Sequence, residues 1–306
     1  MEESRTFISV IIPTYKRAGQ LSVCLGALAA QDYPRDRFEV LVIDDGSATS
    51  PEAGVETFRH QLNVRLLKQP HAGPAAARNY GAAHAKGAFL AFTDDDCAPA
   101  PGWLQSLATC FVSCLDCAFG GRTINELASN PYSTVSQLVV DYLYAHWNSD
   151  PEHATFFTSN NFALPGKCFH AVGGFDAGWT RAAGEDRELC DRLISRGYRL
   201  VYAPEALVHH AHPLTFRKFW WQHFGYGRGA YGLHQVRARR DPTRSGIEPL
   251  AFYLRMLCYP FARTQGRKAV LLATLLAVAQ AANAAGFFWE RLSYRVGRLA
   301  MAAKRS

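Results

Sequence analysis

The chain has 306 residues, 48% of them hydrophobic and 12% aromatic. That composition excludes a disordered or low-complexity protein and allows one large core plus an appendage. The net charge of +7 conceals a division: residues 1–214 hold 17 Lys and Arg against 23 Asp and Glu, and residues 215–306 hold 16 against 3. Two domains meeting near that boundary are expected, the second with an anionic partner.

Met1-Glu2-Glu3-Ser4-Arg5 has no apolar leader, so a cytoplasmic, reducing location is expected, with the eight cysteines serving as small buried hydrophobes. Cys110-x3-Cys114-x2-Cys117 also has the spacing of an iron–sulfur motif, but it lies in an apolar run read as a helix packing face.

Phe7 to Ile12 is a near-continuous β-branched run, as in a strand buried on both faces. Pro13 stops it, and Thr14-Tyr15-Lys16-Arg17 forms a polar loop. Leu21, Leu25 and Leu28 predict a helix to Ala30. Phe38 to Ile43 reads as a second buried strand running into Asp44-Asp45-Gly46-Ser47, and Val64 to Leu67 as a weaker third. Gly73-Pro74 opens an alanine-rich helix expected to reach about Lys86 and stop at Gly87. The strand Phe89-Leu90-Ala91-Phe92-Thr93 then runs into Asp94-Asp95-Asp96. This alternation predicts an α/β fold with a mostly parallel central sheet flanked by helices, the acids at 44–45 and 94–96 converging on one edge. Ligands of open α/β sheets bind outside the carboxyl ends of the strands. Three crowded carboxylates repel one another unless a hard cation such as Mg²⁺ or Mn²⁺ relieves them, so these residues point to a metal that holds phosphates. A solvated acidic turn is the plainer alternative.

Ser9-Val10-Ile11-Ile12-Pro13-Thr14-Tyr15, Val42-Ile43-Asp44-Asp45-Gly46-Ser47, Ala77-Arg78-Asn79 with Gly81, and Phe92-Thr93-Asp94-Asp95-Asp96 together resemble the inverting family 2 glycosyltransferases of the GT-A fold. Gly173-Gly174-Phe175-Asp176, Gly184-Glu185-Asp186 and Tyr202-Ala203-Pro204-Glu205-Ala206 ahead of His209-His210 extend the likeness over roughly residues 7 to 215. The resemblance implies a Rossmann-like GT-A domain over 1–214 and transfer of a sugar, with inversion, from a nucleotide diphosphate sugar, UDP before GDP or dTDP, to a hydroxyl acceptor. It implies that Asp94 and Asp96 hold Mn²⁺ or Mg²⁺ with Asp95 close by, and that His210, or its neighbour His209, adds a ligand. Asp186 would be the catalytic base, ionised at neutral pH because the helix N-terminus favours its charge. Pro13, Tyr15, Arg17, Asp44, Asp45, Arg78, Asp94 and Asp95 would border the nucleotide. Asn160, Asn161, Trp179 and Glu185 would face the acceptor. A nucleotidyltransferase of similar architecture is the enzymatic rival, although Pro13-Thr14-Tyr15-Lys16-Arg17 lacks the glycine-rich phosphate loop of that class. A non-catalytic scaffold that binds nucleotide sugars or membranes is the other.

Residues 215–306 form the helical, basic extension. Phe216 to Tyr226 interleaves bulky aromatics with cations, which suits a bilayer interface or single-stranded nucleic acid. Ala269 to Phe288 is free of formal charge and bracketed by cations. It favours the membrane over nucleic acid and is long enough to span, but its eight alanines make insertion marginal. A tail lying on the cytoplasmic leaflet is therefore expected, giving access to a lipid-linked or cell-surface glycan acceptor. The oligomeric state is not legible.

Overall fold

The computed structural model describes residues 6–179, 183–240 and 248–303, with side chains to 294. Contacts divide the chain into two compact units, Met1–Glu126 with Leu143–His212, and Leu127–Tyr142 with Pro213–Ser306. The strands are β1 (Ile8–Thr14), β2 (Phe38–Asp44), β3 (Val64–Lys68), β4 (Phe89–Thr93), β5 (Cys97–Pro99), β6 (Ala118–Asn125), β7 (Asn161–Pro165) and β8 (Leu200–His210). The helices are α1 (Ala18–Ala29), α2 (Glu52–Glu56), α3 (Pro74–Ala83), α4 (Trp103–Ser113), α5 (Pro131–Trp147), α6 (Gly166–Ala171), α7 (Glu185–Ser195), α8 (Phe216–Arg240), α9 (Leu250–Arg263) and α10 (Gly266–Ala303).

The first unit is built on one sheet in the order β3-β2-β1-β4-β7-β6-β8-β5. β3, β2, β1 and β4 are parallel, as their β-branched runs and intervening helices require. Beyond β4 the sheet turns mixed: β7 is antiparallel to β4 and β6, β8 is parallel to β6, and β5 is antiparallel to β8. The parallel pairing expected from the sequence thus runs unbroken from β3 to β4 and returns at β6–β8, with antiparallel pairings between and at the edge. β5 leaves β4 after a three-residue turn and pairs antiparallel with β8 at the edge of the sheet, which brings Cys97 opposite His210. The leucines of α1 and Trp103, Leu107 and Phe111 of α4 fill the core against the alternate residues Ile8, Val10 and Ile12. Each such side chain contributes about 1.5–3 kcal/mol by leaving water.

The helix expected to reach Lys86 ends at Ala83, because the amides of Lys86 and Gly87 are already turned toward Glu39 and Ser9. The cysteines are not uniformly buried thiols: Cys114 and Cys117 are disulfide-bonded at the end of α4, Cα atoms 5.5 Å apart, and Cys258 is exposed.

The second unit includes residues 127–142, which the charge division had assigned to the first domain. Composition could not reveal this, since the tie is aromatic. Tyr132 on α5 meets Phe219 on α8 at 5.5 Å between ring centroids, Ser136 Oγ and His223 Nε2 are 3.1 Å apart, and Tyr142 donates to the carbonyl of Phe252 on α9 at 2.8 Å. α8 and α10 cross at backbone contact. A Cβ on Gly227 would lie 1.8 Å from the Asn283 carbonyl oxygen, and one on Gly286 would lie 1.9 Å from that of Phe224. Arg228 pairs with Glu290 beside the crossing. Among the described residues one helical segment, Gly266–Tyr294, is long and apolar enough to cross a membrane, with a mean hydropathy of 1.7 over its most apolar window.

Candidate active site

The carboxylates of the sequence reading gather where β2, β1 and β4 end side by side. Beyond Thr93 the chain turns, and Cys97 donates its amide to the Asp94 carbonyl. The three acids then meet different partners. Asp95 is buried and ties β4 to β1 by accepting from Thr14 Oγ1 at 2.7 Å and Arg17 Nη1 at 3.2 Å. Burial pushes its carboxyl up to about 6, against the pull of Thr14 and Arg17. Asp96 accepts from Arg17 at 2.8 Å and lies 3.3 Å from His210 Nε2 and 3.1 Å from His212 Nδ1. Burial alone would raise its carboxyl, but His210, His212 and Arg17 hold it well below the usual range. Burial opposes protonation of His210, yet the hydrogen bond and charge of Asp96 raise its proton affinity.

Asp96, His210 and His212 each offer one ligand atom, all within 4.8 Å of one another. One carboxylate and two imidazoles so spaced fit a single divalent cation. Asp94 is placed otherwise: its Oδ1 accepts from Arg78 Nη2 at 2.7 Å. His209 points elsewhere, its Nδ1 3.0 Å from Glu126 on a half-exposed surface. Sequence reasoning missed His212. The signal was the alternation of an extended chain, which sets positions 210 and 212 on one side and 209 on the other. Their rings stack 5.4 Å apart, and Ala211 between them donates its amide to the Asp96 carbonyl.

Gly184 opens α7 with φ of +94°, a conformation that favours glycine, and delivers Glu185 and Asp186 in the first turn. Glu185 is buried, 3.3 Å from Arg78 Nη1. Arg78 therefore joins Asp94 to Glu185, and it is itself buried, with neither solvent nor a free fork for a nucleotide. Where a contact with the donor was expected, both Nη atoms of Arg78 are bonded to carboxylates. Glu185, expected at the acceptor, faces inward for the same reason. Arg78 Nε and Glu185 Oε2 are buried without a hydrogen-bond partner among the described residues.

Asp186 is half-buried, and its Oδ1 accepts from the amide of Arg187 at 2.8 Å. Burial raises its proton affinity and outweighs that hydrogen bond and the charges of Arg78 and Arg187. The expected lowering at a helix N-terminus is therefore reversed, because the cost of desolvating the charged carboxylate outweighs the favourable helix terminus. The neighbouring Glu185 is raised by burial and by the charge of Asp186.

On the nucleotide side, Pro13 is half-buried at the end of β1, paired with Ile43. Tyr15 stacks on His71 at 4.3 Å. Asp44 Oδ1 accepts from the Ser47 amide, closing the turn. Asp45 is occupied: Oδ1 accepts from Gln69 and the Ala72 amide, and Oδ2 from the Gly73 amide, with His71 Nδ1 at 2.9 Å. Its carboxylate holds the loop before α3, which no motif in the sequence announces.

On the acceptor side, Asn160 is buried, accepting from Thr158 at 2.7 Å. Asn161 is spent in the core, accepting from Trp103 Nε1 at 2.9 Å and donating to the carbonyls of Arg122 and Ala206. Its expected acceptor contact is replaced by a structural one that binds α4, β6 and β8 together. Trp179 is half-buried, its amide donating to the Asp176 carbonyl.

The open α/β sheet thus ends, in its parallel half, in clustered carboxylates beside an Asp–His–His cluster that could hold a cation. Residues 9–184 match the model described as glycosyl transferase family 2, and residues 121–289 match that of glycosyl transferase family group 2. The chain belongs to glycosyltransferase family 2 and has its GT-A fold. It is 32% identical over 243 residues to the pre-mycofactocin glycosyltransferase of Mycobacterium tuberculosis, covering 78% of this chain and 49% of that protein. It is 31% identical over 232 residues to the validoxylamine A glucosyltransferase of Streptomyces hygroscopicus subsp. jinggangensis, covering 65% and 54%. The chain thus spans about half the length of these curated relatives. Among solved structures it is similar to the mannosyltransferase PcManGT from Pyrobaculum calidifontis in complex with GDP-Man and Mn²⁺, with a TM-score of 0.65 at 22% identity over 94% of this chain and 88% of that one. It is also similar to S. aureus TarS residues 1–349 in complex with UDP-GlcNAc, with a TM-score of 0.55 at 18% identity over 95% and 92%.

Proposed function

We propose that this chain moves a sugar from a nucleotide diphosphate sugar, UDP-linked in the first instance, to a hydroxyl acceptor with inversion at the anomeric carbon. The observation that carries this reading is the gathering of Asp96, His210 and His212 on the sheet edge that also bears the Asp94–Arg78–Glu185 chain, with Asp186 beside Glu185. A divalent cation, Mn²⁺ or Mg²⁺, would be held by Asp96, His210 and His212 and would neutralise the leaving diphosphate. Arg17, half-exposed and bonded to Asp95 and Asp96, adds positive charge at the same place. Tyr15, on its stacked partner His71, offers a face to the nucleotide base. Asp186 takes the proton from the acceptor hydroxyl, and its raised proton affinity suits a base. The freed oxygen attacks the anomeric carbon opposite the nucleotide. Arg78 fixes Asp94 and Glu185 on either side of the reacting centre.

The basic extension supports location at the cytoplasmic face of a membrane, where a lipid-linked or cell-surface glycan would be the acceptor; no nucleic-acid partner is proposed. The deciding experiment incubates the chain with Mn²⁺ and a panel of UDP-, GDP- and dTDP-sugars. Release of the nucleoside diphosphate is followed, and NMR reads the anomeric configuration of the product. Retained configuration would remove the inverting mechanism, and pyrophosphate release from a nucleoside triphosphate would favour a nucleotidyltransferase.

A further inference from the structure

We infer that the outer face of α10 docks on an anionic lipid bilayer, with the helix lying in the plane of the interface and not across it. This deepens the membrane location proposed above and rests on that reading; it is drawn from the second unit alone and is independent of the transfer chemistry.

α10 has two faces. Ala269, Leu272, Leu276, Ala279 and Ala282 are buried, at a spacing that forms one seam. On the other side Val270, Leu271, Phe288 and Leu292 are each half or more exposed, at 56%, 50%, 52% and 60%, with exposed Ala277, Ala281 and Ala284 between them. Thr274 on that side is satisfied by its own helix, donating to the Val270 carbonyl at 2.9 Å. The face carries no formal charge from 269 to 288, a length of roughly 30 Å at the helical rise. An apolar strip of that length, left open among the described residues, marks a contact surface.

The charges around it choose the occupant. Arg267 and Lys268 stand at one end and Arg291 at the other, in a region of 16 Lys and Arg against 3 Asp and Glu. A second copy would bring the same surplus of positive charge against this one, whereas acidic headgroups complement it. Phe288 and Trp289 stand at the C-terminal end, both more than half exposed, as aromatic rings do at headgroup depth.

The seam chooses the orientation. α8 touches the backbone of α10 at Gly227 and Gly286, and the Arg228–Glu290 pair flanks that crossing. A helix carried across the bilayer would take α8 with it, including Arg217, Lys218 and the Arg228–Glu290 pair, into hydrocarbon, where such groups are costly. In the plane, the outer face enters the acyl boundary and the cations stay with the headgroups.

The test uses the full chain and phosphatidylcholine vesicles with and without phosphatidylglycerol. Co-sedimentation is expected with the anionic vesicles only, weakening as salt is raised and reversed by alkaline carbonate. Leu271→Glu combined with Phe288→Glu should weaken binding on the order of a hundredfold. Arg267→Gln combined with Lys268→Gln, which leaves the apolar face intact, should weaken it about tenfold. Helical circular dichroism and donor-dependent nucleotide release should persist in both variants. Equal binding to uncharged vesicles, unchanged binding of the Glu variant, or resistance to carbonate would each overturn the proposal. So would a dimer in sedimentation velocity that the Glu variant dissociates, since a second copy would then cover the face.

Discussion

His212 Nδ1 lies 3.1 Å from Asp96 Oδ2, although 116 positions separate them. With His210 they form the one three-residue ligand set found among the described residues. His212→Ala is expected to weaken Mn²⁺ binding at least about tenfold. His209→Ala, one residue before His210 but facing Glu126, should leave it unchanged. Electron paramagnetic resonance of free Mn²⁺ during titration distinguishes the two, and equal losses would remove the assignment.

Asp186→Asn keeps the shape of the first turn of α7 but cannot take a proton. Transfer should fall by about 10²–10⁴-fold while donor affinity changes little. Calorimetry of donor binding beside product formation reads both quantities. A parallel loss of affinity would place Asp186 in donor binding instead.

Asn161 shows how a motif residue can serve the fold. Its side chain is bonded to Trp103, Arg122 and Ala206. Asn161→Ala would leave those buried groups unpaired and should cost about 2–4 kcal/mol in urea unfolding. If stability held and only acceptor KM rose, the acceptor role first expected for it would be restored.

Gly227→Ala places a methyl where the Asn283 carbonyl stands. The two helices must separate, at a cost of about 1–3 kcal/mol to the second unit. Leu233→Met, a volume-conserving change at a buried position on the same helix, should cost less than about 1.5 kcal/mol.

Burial pushes His223, beside Ser136, down to about 4. The unfolded chain binds a proton near the ordinary value of about 6.5, so between those values it binds more protons than the folded one. Stability is therefore lost as pH falls through that window, by up to about 3 kcal/mol from this group. His223→Gln should flatten that part of the melting-temperature profile relative to the unaltered protein.

The parallel half of the fold and the acid edge were legible because β1, β2 and β4 are near-continuous apolar runs, β2 and β4 run into carboxylates, and chain order alone places those ends together. Partners that depend on three-dimensional closure were not. Arg78 reads as a solvated or nucleotide-facing helix residue until Glu185, 107 positions away, arrives beside it. Asp45 reads as a free carboxylate until the 69–73 loop folds over it. The proton affinity of Asp186 was misjudged because a helix terminus is visible in sequence, whereas the depth of burial around it is not. His212 was legible in principle from strand alternation, but the adjacent histidine pair drew the reading to 209 and 210.

The second unit is assembled from two stretches that the chain visits seventy residues apart. Its rim is therefore sewn into the middle of the catalytic sequence, and the tail is no detachable module. Cutting the chain at residue 213 would remove Phe219, His223 and Phe252 from Tyr132, Ser136 and Tyr142. Point changes on the intact polypeptide, rather than deletions, can separate what the tail does from what it holds in place.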